Sequence, residues 1–202
     1  MTALSSEDLQ LFLGPLLFFA LVAYSIFRRG RRGRGRRPKL HSGSTLKLLP
    51  GQYFTAKVAQ VIDGDTVDVI TKRRRIRIRL DSIDCPEDGQ DWGDVATYGL
   101  IKLIGGKSVS LEYHGLDFHG RTLATIYVSQ DRGAKMLNVN ERMVVLGHAW
   151  VMRQFYNHLP KDRQVSLNRI EAWARSRRVG LWRASNPTPP WEWRRSNRID
   201  FR

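Results

Sequence analysis

The sequence predicts an α+β chain: an OB-type barrel of five short strands with about three helices, preceded by one transmembrane helix. Three observations predict it. Short runs rich in aliphatic and β-branched residues recur, bounded by Gly, Pro or Asp-Gly-Asp. Segments of helical spacing stand between and after those runs and stop at glycine. Leu11–Phe27 (LFLGPLLFFALVAYSIF) runs 17 residues without a charge, at the short end of what spans a bilayer.

In chain order, Glu7 and Asp8 precede the apolar run, and seven arginines follow it between Arg28 and Arg37. A secretory signal has the opposite flanks, so residues 11–27 read as an uncleaved anchor behind a short tail, residues 1–10. The arginines put the rest of the chain on the cytoplasmic-type face of a single-pass membrane, bacterial or mitochondrial. Residues 28–46 are a basic linker; the sharper alternative is an arm that grips nucleic acid.

Strands are expected at 53–62, 67–70 and 75–80, the last (Arg75-Ile76-Arg77-Ile78-Arg79-Leu80) half-buried with one basic face. A helix over 95–104 ends at Gly105-Gly106, and strands follow at 107–113 and 121–128. Helices over 138–146 and 165–178 stop at Gly147 and Gly180. The globular domain therefore spans 47–184. Residues 187–195 (PTPPWEWRR) are too rich in proline for a helix, so 185–202 reads as a surface strap and tail. Trp173, Trp182, Trp191 and Trp193 are assigned to core and strap packing, and His114, His148 and His158 show no ligand spacing.

The 34 basic residues against 19 acidic give +15, which points to a polyanionic partner or an anionic membrane surface. Residues 1–40 hold eight basic and two acidic residues, and the remaining 26 basic and 17 acidic leave +9, so the globular domain is basic in its own right. The single cysteine excludes an internal disulfide and a cysteine-rich zinc site.

The chemistry is carried by Asp63-Gly64-Asp65-Thr66-Val67 and Arg79-Leu80-Asp81-Ser82-Ile83-Asp84-Cys85-Pro86-Glu87. Asp-Gly-Asp is a tight turn between apolar runs, held by Asp63, and Pro86 ends the second run where Asp84 and Glu87 appear. Two turns can thus present Asp65, Asp84 and Glu87 at one end of a sheet. Such hard oxygens suit Ca²⁺ or Mg²⁺, and Arg79 beside them suits a phosphate. Carboxylates, divalent ion and arginine are the components needed to cleave a phosphodiester.

This stretch resembles the first motif of the thermonuclease (staphylococcal nuclease-like) family. Asp117-Phe118-His119-Gly120-Arg121-Thr122-Leu123-Ala124-Thr125-Ile126-Tyr127 resembles its second, and the resemblance covers about residues 53–183. It implies a Ca²⁺-dependent endonuclease, with Mg²⁺ or another divalent ion as the alternative, acting on single-stranded or loosely paired DNA and RNA. It also implies that Asp65, Asp84 and the backbone carbonyl of Cys85 hold the ion, while Glu87 deprotonates or positions water. Arg79 and Arg121 would grip the phosphate. The implied nucleotide pocket contains His119 in place of an aromatic residue, Arg153 in place of a tyrosine, and Phe155. A nucleophilic role for Cys85 has no base and orienter to support it. The competing reading is a non-catalytic binding module tethered to a membrane, although degenerate copies lose the carboxylates or an arginine and all five are present here. A monomer is expected.

Overall fold

The computed structural model describes residues 48–72, 74–130 and 135–199. The expected tail, anchor and linker all lie outside the described residues. Among the described residues no helix is long and apolar enough to cross a membrane.

Three strands, β1 (Tyr53–Val61), β2 (Thr66–Thr71) and β3 (Arg74–Leu80), form an antiparallel meander. The far edge of β1 pairs with β5 (Ser108–Leu116), which pairs in turn with β6 (Thr122–Gln130). Parallel pairing of β3 with β6, with Arg79 opposite Leu123, closes these five strands into the expected barrel. The additional strand β7 (Lys135–Asn138) extends the free edge of β6. Alternation along each strand sends Val67, Val69, Ile78, Leu80, Leu111 and Ile126 inside, where all are fully buried.

Helix α1 (Gly93–Ile104) lays Ala96, Leu100 and Ile104 on this core, and α2 (Val139–Val145) adds Val139, Met143 and Val144. Asn138 caps α2 by accepting the Glu141 N–H at 3.2 Å. Asn140, fully enclosed, accepts the Ile126 N–H and donates to the Asp81 and Ala124 carbonyls, tying α2 to β6 and to the turn after β3. That turn leads into β4 (Ile83–Asp84), which pairs with β8 (Trp150–Val151) outside the barrel. Helix α3 (Lys161–Ser176) begins four residues earlier than its hydrophobic spacing predicts.

One expectation is corrected. Four α-helices are present among the described residues, and the fourth, α4 (Pro190–Ile199), occupies the segment read as a strap. The prolines stand at its entrance. Pro190 is the first helical residue, where a missing N–H costs no hydrogen bond and the fixed φ suits the helix, and the Pro189 carbonyl accepts from Glu192 and Trp193. The basic face expected on half-buried β3 is present and partly paired. Arg75 and Arg77 both pair with the buried Asp68 of β2, at 3.1 and 2.8 Å, and Arg79 turns into the site described next.

Candidate active site

The β1–β2 turn builds the first half of the site. Asp63 Oδ1 accepts the Asp65 N–H at 3.0 Å, which holds the turn as its composition predicts. The Asp65 carboxylate then faces inward: Oδ1 accepts from the Thr66 hydroxyl and Oδ2 from the Cys85 N–H at 2.8 Å. Gly64 permits this approach, because a Cβ there would sit 2.7 Å from Cys85 Cβ. Burial pushes the Cys85 thiol well above its ordinary value and its Sγ donates to the Gly64 carbonyl, so it is a packing group and not a nucleophile.

Arg79 joins the two halves. Its side chain is 13% exposed, and Nη1 lies 3.2 Å from Asp65 Oδ2 while Nη2 lies 2.6 Å from Asp84 Oδ1. Nη1 also donates to the Leu80 and Ile83 carbonyls, so the guanidinium folds the intervening turn around itself. Ser82 takes a left-handed φ of 62° in that turn, which is what brings Asp84 back beside Arg79. Burial alone would lower the Arg79 pKa, but Asp65 and Asp84 outweigh it and hold it above its ordinary value. Burial raises Asp84, and it pushes Asp65 up to about 6 against the pull of Arg79.

These residues fit a divalent cation. Two enclosed carboxylates share one guanidinium, and each keeps acceptor capacity: among the described residues Asp65 Oδ1 receives only the Thr66 hydroxyl, and Asp84 Oδ2 only one arginine N–H. The carbonyl of buried Cys85 accepts no hydrogen bond from the described residues. Anions destabilised by burial, together with an unsatisfied carbonyl, form an oxygen donor set for a hard ion.

Glu87 stands at the rim. Its N–H donates to Gln90 Oε1 at 3.0 Å, and its Oε1 accepts a short hydrogen bond from Arg194 Nη1. The same guanidinium reaches Asp84, with Nη2 2.8 Å from Oδ2 and Nη1 3.3 Å from Oδ1. Arg194 comes from α4, and no sequence motif announced it; the only signal was a basic pair following the aromatic Trp191-Glu192-Trp193. The structure therefore brings Asp65, Arg79, Asp84, Cys85 and Glu87 together, and adds Arg194.

Arg121 precedes β6, two residues before Leu123 and on the same strand face, and Leu123 lies opposite Arg79. Its Nε donates to Asp117 Oδ2 at 2.6 Å, and its Nη groups donate to none of the described residues. Burial alone would raise Asp117, but its bonds to Arg121 and the His119 N–H hold it below the ordinary range. The pocket residues are less gathered. His119 is exposed on this loop beside Phe118, which is 99% exposed, and Phe155 lies 54% exposed on a short 3₁₀ turn. Arg153 is committed to Glu171 of α3, at 2.5 Å. Sequence spacing also missed one grouping: Asp81, His114 and His158 bring one donor atom each within 4.8 Å of one another, with His158 Nε2 2.9 Å from Asp81 Oδ2.

Comparison with known proteins places the chain among nucleases by name. The staphylococcal nuclease homologue family matches residues 77–184, a little over half of the chain. The chain is 40% identical over 138 residues to an uncharacterized endonuclease of Escherichia coli O157:H7, spanning 68% of this chain and 83% of that relative. It is 38% identical over 148 residues to a micrococcal nuclease of Shigella flexneri, spanning 72% and 83%. An uncharacterized endonuclease of Haemophilus influenzae is 36% identical over 159 residues, spanning 78% and 83%.

Proposed function

Since this chain belongs to the staphylococcal nuclease homologue family, we propose that it is a divalent-metal-dependent endonuclease hydrolysing phosphodiester bonds of DNA and RNA. The observation that carries the reading is the Arg79 guanidinium shared by two buried carboxylates from separate turns, with Glu87 one guanidinium away.

Arg79 uses both Nη1 hydrogens on carbonyls and one Nη2 hydrogen on Asp84, leaving Nε–H and one Nη2 hydrogen for a phosphate. Arg121 offers its Nη pair from the residue just before the neighbouring strand β6. Negative charge gathers on the equatorial oxygens as water attacks phosphorus, so fixed guanidinium donors bind that state more strongly than the ground state. Glu87 has one oxygen on Arg194 and leaves Oε2 to accept a proton from, or orient, the attacking water. Asp65, Asp84 and the Cys85 carbonyl would hold Ca²⁺, or another hard divalent ion, which supplies Lewis-acid charge to the phosphate when bound. Exposed Phe118, His119 and Phe155 offer faces on which unstacked bases of single-stranded or loosely paired substrate can rest. Residues 11–27 would tether the enzyme to a membrane, with the catalytic domain on the cytoplasmic-type face, and nothing in the mechanism asks for more than one copy.

The test is nicking of circular single-stranded DNA by the purified full-length chain, with Ca²⁺ and then with chelator. Cleavage in Ca²⁺ that vanishes with chelator, and that Glu87→Gln abolishes, is expected. Undiminished cleavage in chelator sinks the metal mechanism, and no cleavage under either condition sinks the nuclease reading.

A further inference from the structure

The mechanism above uses the barrel and its turns and leaves helix α4 without a task. Yet α4 sets one planar group on two of the site's carboxylates, with Arg194 bonding both oxygens of Asp84 and one oxygen of Glu87. We infer that Arg194 is a positioning residue of this active site, so that the C-terminal helix completes the catalytic centre; the inference rests on the nuclease reading.

Asp84 and Glu87 carry like charge three residues apart, on either side of Pro86. Asp84 is fixed by burial and by Arg79, whereas the Glu87 side chain is 36% exposed and free to turn outward. A guanidinium that holds Asp84 by two donors and Glu87 by one sets both the separation and the relative orientation of the carboxylates. An ammonium, being a point charge, sets neither orientation. Arg194 occupies Oε1 and leaves Oε2 with no donor among the described residues, the arrangement required to hold a water there.

The helix is secured independently of this contact. Gln90 Nε2 donates to the Thr188 carbonyl at 2.6 Å while Gln90 Oε1 accepts the Glu87 N–H, so one buried glutamine joins the backbone of Glu87 to the approach to α4. Trp191 packs edge-on against Trp150, 6.4 Å between centroids, next to the Trp150–Asp84 pair of the β4–β8 ladder. Arg194 is thus delivered by a seated helix.

The experiment uses the full-length chain, with Arg194→Ala, Arg194→Lys, Glu87→Gln and the Arg194→Ala/Glu87→Gln double variant. For Arg194→Ala, kcat on single-stranded DNA should fall about 10–100-fold, as for other groups that orient a catalytic ligand, with KM nearly unchanged. Arg194→Lys should restore little, whereas added millimolar guanidinium, and not equal sodium chloride, should restore part of the rate. An unchanged kcat overturns the inference. A raised kcat would instead make α4 an inhibitory latch, and overturns it too. Loss that guanidinium does not rescue and that follows Tm reduces Arg194 to a structural role. Independently of activity, the Tm shifts of the two single variants should fail to add in the double variant; additive shifts remove the contact itself. Inactive wild type would overturn the nuclease reading, and the Tm cycle would still decide whether Arg194 and Glu87 are joined.

Discussion

A buried carboxylate is tolerated where donors surround it, and Asp65, Asp84 and Arg79 satisfy one another on that principle. For this reason Arg79 is a poor kinetic probe: its loss leaves enclosed Asp65 without its guanidinium and Asp84 with Arg194 alone, a defect of roughly 3–5 kcal/mol in stability. Arg121 is the clean one, since its partner Asp117 keeps the His119 and Arg121 backbone N–H donors without the guanidinium, and the Arg121 Nη pair is uncommitted among the described residues. Arg121→Lys keeps the charge and loses the fork. It should lower kcat about 10²–10³-fold with a small change in KM and Tm, the size seen when one transition-state donor is removed. Steady-state kinetics on single-stranded DNA check this, and near-normal kcat would remove Arg121 from the phosphate clamp. Asp65, Arg79, Asp84 and Glu87 were legible in the sequence because turn chemistry at Asp63-Gly64-Asp65 and at Pro86 fixes where each side chain emerges. Arg194 was not, because it acts through a contact 107 residues distant in sequence from Glu87, for which local spacing carries no signal.

At the level of elements, the strands were read to within a few residues because each alternates against one core. The two-residue pairing of β4 with β8, and α4, were missed because both depend on long-range partners. In α4 the error lay in counting prolines without regard to position. Packing of the loop after α2 onto α1 leads to a pH dependence. Gly99 of α1 leaves room for the His148 ring, which a Cβ would meet at 2.6 Å, and His148 Nδ1 accepts the Trp92 indole N–H. Burial pushes His148 down to about 4 from 6.5, so between those values the unfolded chain binds a proton that the folded chain refuses. Stability is therefore lost as pH falls through this window, on the order of 3 kcal/mol from this group. The Asp81–His158 pair works in two directions. Its bond to Asp81 raises His158, whose contribution is present below pH 6.5 and fades as pH rises; Asp81, held low by His158 and Ser82 despite burial, loses its contribution only in stronger acid. Subtracting one variant from the wild type isolates His148. His148→Gln should flatten the fall in Tm from pH 6.5 to 4 while leaving Asp81 and His158 in place. Parallel Tm curves for the two proteins across that range would show that His148 is not the acid-sensitive group.

For the whole molecule, the +15 net charge divides into +6 in residues 1–40 and +9 in residues 41–202, and within the folded domain Arg75, Arg77, Arg79, Arg121, Arg153, Arg163 and Arg194 each pair with a carboxylate. Seven further arginines stand between residues 28 and 37, directly after the 17-residue uncharged run. Beside a bilayer such a cluster serves two ends. It is costly to translocate, which would leave it and the catalytic domain on the cytoplasmic-type face, and it would attract anionic headgroups within a Debye length of about 8–10 Å. The electrostatic part is salt-sensitive and the hydrophobic part is not, so extraction separates them. The full-length chain expressed in cells should sediment with membranes through molar salt and through alkaline carbonate, and deletion of residues 11–27 should make it salt-extractable. Carbonate release of the intact chain would reduce the association to surface charge. Protease added to sealed right-side-out vesicles should spare the nuclease domain and digest it once detergent opens them. Digestion before detergent would reverse the orientation and place the domain on the outer face, where Ca²⁺ is plentiful.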